Sequence, residues 1–169
     1  MAEAASAGQR EAAPRSLDHR MAVLWGILGS IAALVLGVLA LWVDIGLRLA
    51  DVDLPWPPGI PAAALTVGLA ALSWWWARAQ YRNWRYLLAD DVLELRHGVV
   101  RRVHSAIPYF RVQHIDITQG PLERAMGIAS VVVHTASAGT DASIPGIGGD
   151  EAEELRRMIL ARTGSGDAV

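Results

Sequence analysis

The chain contains no cysteine. That excludes a disulfide framework, a thiolate nucleophile and a Cys-type zinc site. Lysine is absent too, and all 15 basic side chains are arginine, a composition bias without mechanistic weight. Net charge is only −2, which gives no footing for a bulk nucleic-acid binder. No aromatic residue interleaves with the arginines between Arg96 and Ile107, as base stacking would require. A nucleophile elbow and a glycine-rich phosphate loop are also missing. Most tellingly, two long apolar runs hold no Asp, Glu, Lys, Arg or His. A transporter or pump built from these runs alone would lack the ionisable groups that ion and proton pathways use.

What is there is apolar residue in quantity: 53% of 169 residues, concentrated in those two runs. Residues 21–43, MAVLWGILGSIAALVLGVLALWV, are long enough to cross a hydrocarbon core of about 30 Å, and residues 60–77, IPAAALTVGLAALSWWWA, reach the short end of spanning length. The first run is too long for a signal-peptide core and a second span follows it. Arginine sets the orientation. Arg10, Arg15 and Arg20 precede the first span, Arg78, Arg82 and Arg85 follow the second, and the loop at 44–59 carries only Arg48. The positive-inside rule therefore puts both termini of a two-pass protein in the cytoplasm. Gly26, Ser30, Ala33, Gly37 and Ala40 form one stripe of small residues, and Ala64, Gly68 and Ala71 another. Such stripes let helix backbones approach closely, here within one hairpin in preference to a dimer.

From residue 78 the pattern changes to short alternating runs with turn signals between them. Strands are expected in WRYLLADD, VLELRHG, VVRRVHSAI (stopped by Pro108), RVQHIDIT, SVVVHTA and ASIPGI. In the fourth, Gln113, Ile115 and Ile117 are expected on one face and His114, Asp116 and Thr118 on the other. QGPLERAMG reads as a turn with one helical turn, closed by Gly127, and Ser137 to Gly139 as another turn. The last element is a helix with Asp150 as N-cap, acids in its first turn, arginines towards its end, and Ala152, Leu155, Ile159 and Met158 as its buried stripe. The expected organisation is a disordered segment at 1–20, helices at 21–43 and 60–77, a loop at 44–59, a small β domain at 78–163 and a disordered tail at 164–169.

Two spans followed by NWRYLLADDVLELRHGVVRR, then IPYFRVQHIDITQGPLERAMGIASVVVHTA, then IPGI before an acidic helix, resemble the bacterial pleckstrin-homology-like membrane proteins of the YdbS type. The resemblance covers roughly residues 20–162. It implies an α+β membrane protein: a two-helix transmembrane hairpin, then a pleckstrin-homology-like small β-barrel or sandwich with a C-terminal helix, held at the inner membrane face. It does not imply an enzyme. It does imply a partner, since members often accompany a larger membrane protein carrying repeats of the same domain. Eukaryotic lipid-binding relatives place basic residues around the loop between their first two strands. Here that loop is LADDVLE, which is acidic and would repel a phosphate, so inositol-lipid binding does not carry over.

The polar residues then divide into two sets. Arg111, Gln113, His114, Asp116, Gln119, Glu123 and Arg124 are candidates for a protein-interaction face, contacting a related membrane protein or a second copy. Arg78, Arg82, Arg85, Arg96, Arg101 and Arg102 are candidates for contact with anionic lipid, each worth about 1 kcal/mol close to the surface. His114 beside Asp116 could serve a small membrane enzyme as a general base, but cross-strand structural pairing explains the pair more simply. His104, His114 and His134 lie on three different expected strands without ligand-motif spacing. The expectation is accordingly a non-enzymatic interaction module at the cytoplasmic face, with anionic-headgroup sensing as the alternative, and with no catalytic residue, metal, cofactor or nucleic-acid partner.

Overall fold

A computed structural model describes residues 14–136 and 141–164. The turn expected at Ser137 to Gly139 lies outside them, as do residues 1–13 of the N-terminal segment and all of the C-terminal tail after Gly164. The chain forms two compact units, one of residues Met21–Ala79, the other of the N-terminal segment up to Arg20 together with everything from Gln80 onward.

The first unit is built from two helices, α1 (His19–Leu49) and α2 (Ile60–Asn83). Both are long and apolar enough to cross a membrane. Side chains such as Leu34, Leu39, Val43, Val67 and Leu72 are exposed on them, as lipid-facing positions would be. Both helices outrun the expected spans, because an apolar run marks a bilayer segment and does not mark where a helix ends. α1 continues through Asp44, which is 5% exposed yet fully served. Its carboxylate accepts the Gly59 N–H at 3.0 Å and the Trp56 indole N–H at 3.2 Å, and pairs with Arg48, one helical turn on, at 3.3 Å. The chain then leaves the helix through Asp51, at φ 59°. α2 runs past Ala77 along residues of good helix propensity, so Arg78 and Arg82 are helical.

The small-residue stripe of α1 packs as expected against its own hairpin partner. A Cβ on Gly26 would meet the Trp74 ring at 2.8 Å, and one on Gly37 would collide with Thr66. Trp74 also donates its indole N–H to Ser30 Oγ at 3.0 Å. The stripe of α2 does not pack: Ala64, Gly68 and Ala71 are exposed, and nothing lies within 4 Å of a Cβ built on Gly68. The contact face uses Ala62, Thr66, Ser73 and Ala77 instead, because Thr66 and Ser73 return their hydroxyls to their own helix at Ala62 O and Ala70 O and so behave as small apolar residues.

The second unit has the expected α+β architecture in its sandwich form, with two separate three-stranded antiparallel sheets. The first joins β1 (Arg85–Leu88), β2 (Val92–His97) and β3 (Val103–Pro108) in that order; the second joins β4 (Val112–Thr118), β5 (Ile128–Thr135) and β6 (Ala142–Gly148). A 3-10 turn at Tyr109–Arg111 links the sheets, and α3 (Pro121–Met126) links β4 to β5. Alternation dictates the inner face of the first sheet. Tyr86, Leu88, Leu93, Leu95 and Ile107 are each no more than 6% exposed. The third strand is shorter than expected. Gly98, at φ 107°, packs so tightly against the Arg101 carbonyl that no side chain fits, and residues 98–102 turn as a loop.

The fourth strand also departs from its expected pattern. A bulge lies between Val112 and His114, so Val112 and Ile115, three apart, are both buried, and Gln113 is exposed instead of sharing the inner face with Ile115. Gly127 ends α3 in the left-handed conformation at φ 68°, as its position suggested. α4 (Gly149–Gly164) starts one residue before the expected cap, so Asp150 lies within its first turn. It packs on β4, β5 and β6 through Ala152, Leu155 and Ile159, all fully buried, while Met158 is half-buried.

The N-terminal segment is not disordered where it is described. Arg15 forms a two-way backbone bridge with Tyr86, at 2.8 and 3.0 Å, and Asp18 N–H donates to Gly146 O at 2.8 Å. Residues 15–18 thus strap the edge of β1 to the edge of β6, covering one unpaired edge in each sheet. Leu17, 3% exposed, seats the strap, and Arg15 reaches Glu151 at 3.8 Å. Glu151 also accepts the Tyr86 hydroxyl at 3.0 Å; burial first, and then that carboxylate, push the phenol up to about 12. Replacing Leu17 by Asp puts a carboxylate into this seat. We expect a loss of about 2–3 kcal/mol in the unfolding of the second unit and faster tryptic cleavage at Arg15. Unchanged melting and unchanged cleavage of the full-length variant in detergent would mean the strap is not structural.

Candidate functional site

The register of the first sheet assembles the basic residues. Because Tyr86 pairs with Leu95 and Leu88 with Leu93 on the inner face, Arg85 falls directly opposite Arg96, and Arg96 opposite His104, on the outer face. Three basic side chains thus form one transverse row across three strands. Like charges directly opposite each other destabilise a sheet. Arg82, in the last turn of α2, and Arg102, in the 98–102 loop, join the row around a pocket of about 220 Å³, also lined by Asn83, His97 and Gly98. No carboxylate lines it. Glu94, one row away, pairs with Arg96 at 3.3 Å; among the described residues Arg82, Arg85 and Arg102 have no acidic partner. The wall is firm: buried Trp84 stacks on His97 with ring centroids 4.8 Å apart and planes 15° from parallel, and Arg85 donates to Trp84 O at 2.6 Å.

Beside the pocket the 98–102 loop presents Val100, 84% exposed, next to Arg101 and Arg102. Of the six arginines proposed for lipid contact, four line the pocket and Arg101 is its neighbour in the loop. Arg78 does not line it; its guanidinium lies 5.1 Å from the Trp74 ring on α2. The acidic β1–β2 turn at Ala89–Asp91 takes no part, and its backbone holds Tyr109 instead, through Tyr109 N–H to Asp91 O and Tyr109 hydroxyl to Ala89 O. Two pocket residues, Asn83 and His97, carried no signal of their own in the sequence, and His104 stood out there only among the strand histidines weighed as a zinc set. They become visible only when the strands are paired.

The seven interaction candidates scatter. Glu123 and Gln119 are structural. Glu123 accepts the Gly120 N–H at 2.7 Å and the Ser130 hydroxyl at 2.9 Å, stapling α3 to β5, and Gln119 donates to Ile128 O at 2.9 Å. Arg124 is exposed on α3, and Gln113 on the bulge. Arg111 lies at the corner between the sheets, 5.8 Å from the ring of Phe110, which is 71% exposed. Only His114 and Asp116 gather, on the outer face of the second sheet. His114 is the cross-strand partner of His134, and their rings stack 4.3 Å apart; Asp116 lies 3.4 Å from His134 and 3.8 Å from His114. His104 stands in the other sheet, so the three strand histidines weighed as a zinc set do not converge.

This is a membrane protein carrying a pleckstrin-homology-like domain behind two apolar helices. The bacterial PH domain family matches residues 21–163, and the chain belongs to that family. It is similar to the UPF0699 transmembrane protein YdbS of Bacillus subtilis (strain 168), 31% identical over 114 residues that cover 66% of this chain and 70% of that protein. A solved structure from Shewanella loihica, of a duf1696 family protein with a pleckstrin-homology domain, covers 50% of this chain and 74% of its own at 10% identity, with a TM-score of 0.39.

The unbalanced row has a measurable consequence. Arg85→Glu turns a repulsive cross-strand pair into an attractive one. We expect the variant to melt higher than the parent by on the order of 1 kcal/mol, while its pocket loses its cationic character. A lower melting point would show that Arg85 stabilises the fold, and that its charge is not held there at a cost.

Proposed function

We propose that this protein is a non-enzymatic module anchored by two passes in the bacterial inner membrane, with both termini in the cytoplasm, whose arginine pocket holds the phosphate of an anionic lipid headgroup. One observation carries this reading: the in-register row Arg85–Arg96–His104, closed by Arg82 and Arg102 around a pocket without a carboxylate. A phosphate supplies the missing counter-charge, and guanidinium groups recognise its oxygens with paired hydrogen bonds. Arg82 follows the second apolar run by only a few residues, and Val100 offers an apolar tip beside two arginines, a pairing suited to the headgroup layer. The test is retention of phosphatidylglycerol by the full-length protein in mild neutral detergent, followed by native mass spectrometry. Removing two pocket charges, Arg85→Gln with Arg96→Gln, should weaken retention by roughly thirtyfold at about 1 kcal/mol per arginine. Arg111→Gln with Arg124→Gln removes the same charge elsewhere and should change little. Equal losses in the two double variants would reduce the effect to net charge and sink the pocket.

A second reading, an interaction subunit for a related membrane protein or for a second copy, draws on a different place. The edges of β3 and β4 flank the corner where Phe110 stands exposed beside Arg111, and unlike those of β1 and β6 no strap covers them among the described residues. Phe110→Ser with Arg111→Glu should strip co-purifying protein from the detergent-extracted complex while melting is unchanged. Full recovery of the complex by that variant would remove the corner as its interface.

A further inference from the structure

The His114–Asp116–His134 cluster lies apart from the arginine pocket, in the other sheet, and neither reading above uses it. Each side chain offers one donor atom, and the three donors lie within 4.8 Å of one another. Antiparallel pairing explains the gathering. His114 and His134 are directly opposed, and Asp116 is the next outward position on β4. A zinc ion bound at about 2.0–2.1 Å holds tetrahedral donors about 3.4 Å apart. Asp116 Oδ2 is already 3.4 Å from His134 Nε2 and 3.8 Å from His114 Nε2; the two rings stack 4.3 Å apart, so the exposed His114 ring must turn out of the stack to bring its donor into the set.

A second feature distinguishes the cluster from an ordinary surface ion pair. The far nitrogen of His134, Nδ1, lies 2.9 Å from Asp141 Oδ2, and the other Asp141 oxygen accepts the Thr135 N–H at 3.0 Å. The backbone thus fixes Asp141, Asp141 fixes the His134 ring as its hydrogen-bond acceptor, and Nε2 is left unprotonated 3.4 Å from Asp116 Oδ2. An imidazole held from behind by a carboxylate is the arrangement metal-binding histidines use to set their tautomer and raise their basicity. The two carboxylates together balance a divalent charge.

We propose that His114, Asp116 and His134 bind one divalent first-row transition ion of the zinc class, with Asp141 as the positioning group behind His134. Two imidazoles and one carboxylate suit Zn2+ or Ni2+, and do not suit Ca2+ or Mg2+, which require oxygen donors. The ion clips β4 to β5 and, through Asp141, holds the start of β6. A fourth position faces solvent and takes water.

The probe is Zn2+ added to untagged, chelator-treated full-length protein in mild detergent, followed by calorimetry, with Co2+ absorption as the reporter of geometry. The proposal predicts one ion per chain at low micromolar concentration, with the intense visible bands of four-coordinate Co2+. His134→Ala and His114→Gln each abolish binding. Asp141→Asn leaves all three donor atoms in place, and weakens binding 10- to 100-fold, as loss of a supporting carboxylate does. His104→Gln leaves binding intact. All of these positions are at least partly exposed, and a circular dichroism spectrum and melting point equal to the parent's confirm that each variant is folded. Absence of saturable binding, or binding that survives both His114→Gln and His134→Ala, overturns the proposal. An Asp141→Asn variant that binds like the parent removes the positioning role.

Discussion

The antiparallel register of β1 and β2 is the constraint from which the basic outer surface follows. Burial sets that register: Tyr86 and Leu88 must face the same core as Leu93 and Leu95, and a slip of one residue would send all four outward. Once the inner face is satisfied, the outer face has no freedom left. Arg85 and Arg96 must stand side by side, with His104 next in line on β3. Hydrophobic burial, a non-specific force, thus holds a specific and electrostatically unfavourable arrangement in place. On the proposed reading, the strands bring these basic residues together before any anion arrives, and that part of the ordering is not left to binding.

The rest of the second unit serves to keep that sheet intact. A three-stranded sheet with two bare edges is marginal alone. Here the strap at residues 15–18 joins β1 to β6, the 3-10 turn joins β3 to β4, and α4 lies across the second sheet through Ala152, Leu155 and Ile159. Tyr109 ties several of these parts together. Its hydroxyl bonds Ala89 O behind the acidic turn and accepts from Arg162 of α4 at 3.1 Å. The acidic turn therefore has a structural role in this chain, and the cationic pocket opens at the other end of the β1–β2 hairpin. Within the first unit, Asp44 is the corresponding fixed point, since three donors from the connecting loop and its own helix converge on one buried carboxylate.

Much of this was legible in the residues. The alternation in VLELRH and the punctuation at Gly127 located β2 and the end of α3 to within a residue, because side-chain period and left-handed glycine are local signals. The two apolar runs located the helices but not their ends, since Asp44, Arg48, Arg78 and Arg82 are polar and still helical. Residues 15–18 gave no strand signal; their order comes from Tyr86 and Gly146, far along the chain. The bulge at Gln113 reversed its expected side for a similar reason, since an unpaired residue leaves no mark on composition. The two candidate sites show the same limit. Their arginines and histidines could be named in advance, but which of them meet depends on pairing between strands. His114 came together with His134, while His104 joined the arginines.

On the proposed reading the outer row of the first sheet is a built anion site. Its most direct test is calorimetric titration of the full-length protein, in neutral detergent, with soluble glycerol 1-phosphate. Such a site gives saturable one-to-one binding that weakens as salt rises and disappears in Arg96→Gln. Heats that do not saturate, or binding indifferent to Arg96, would contradict it.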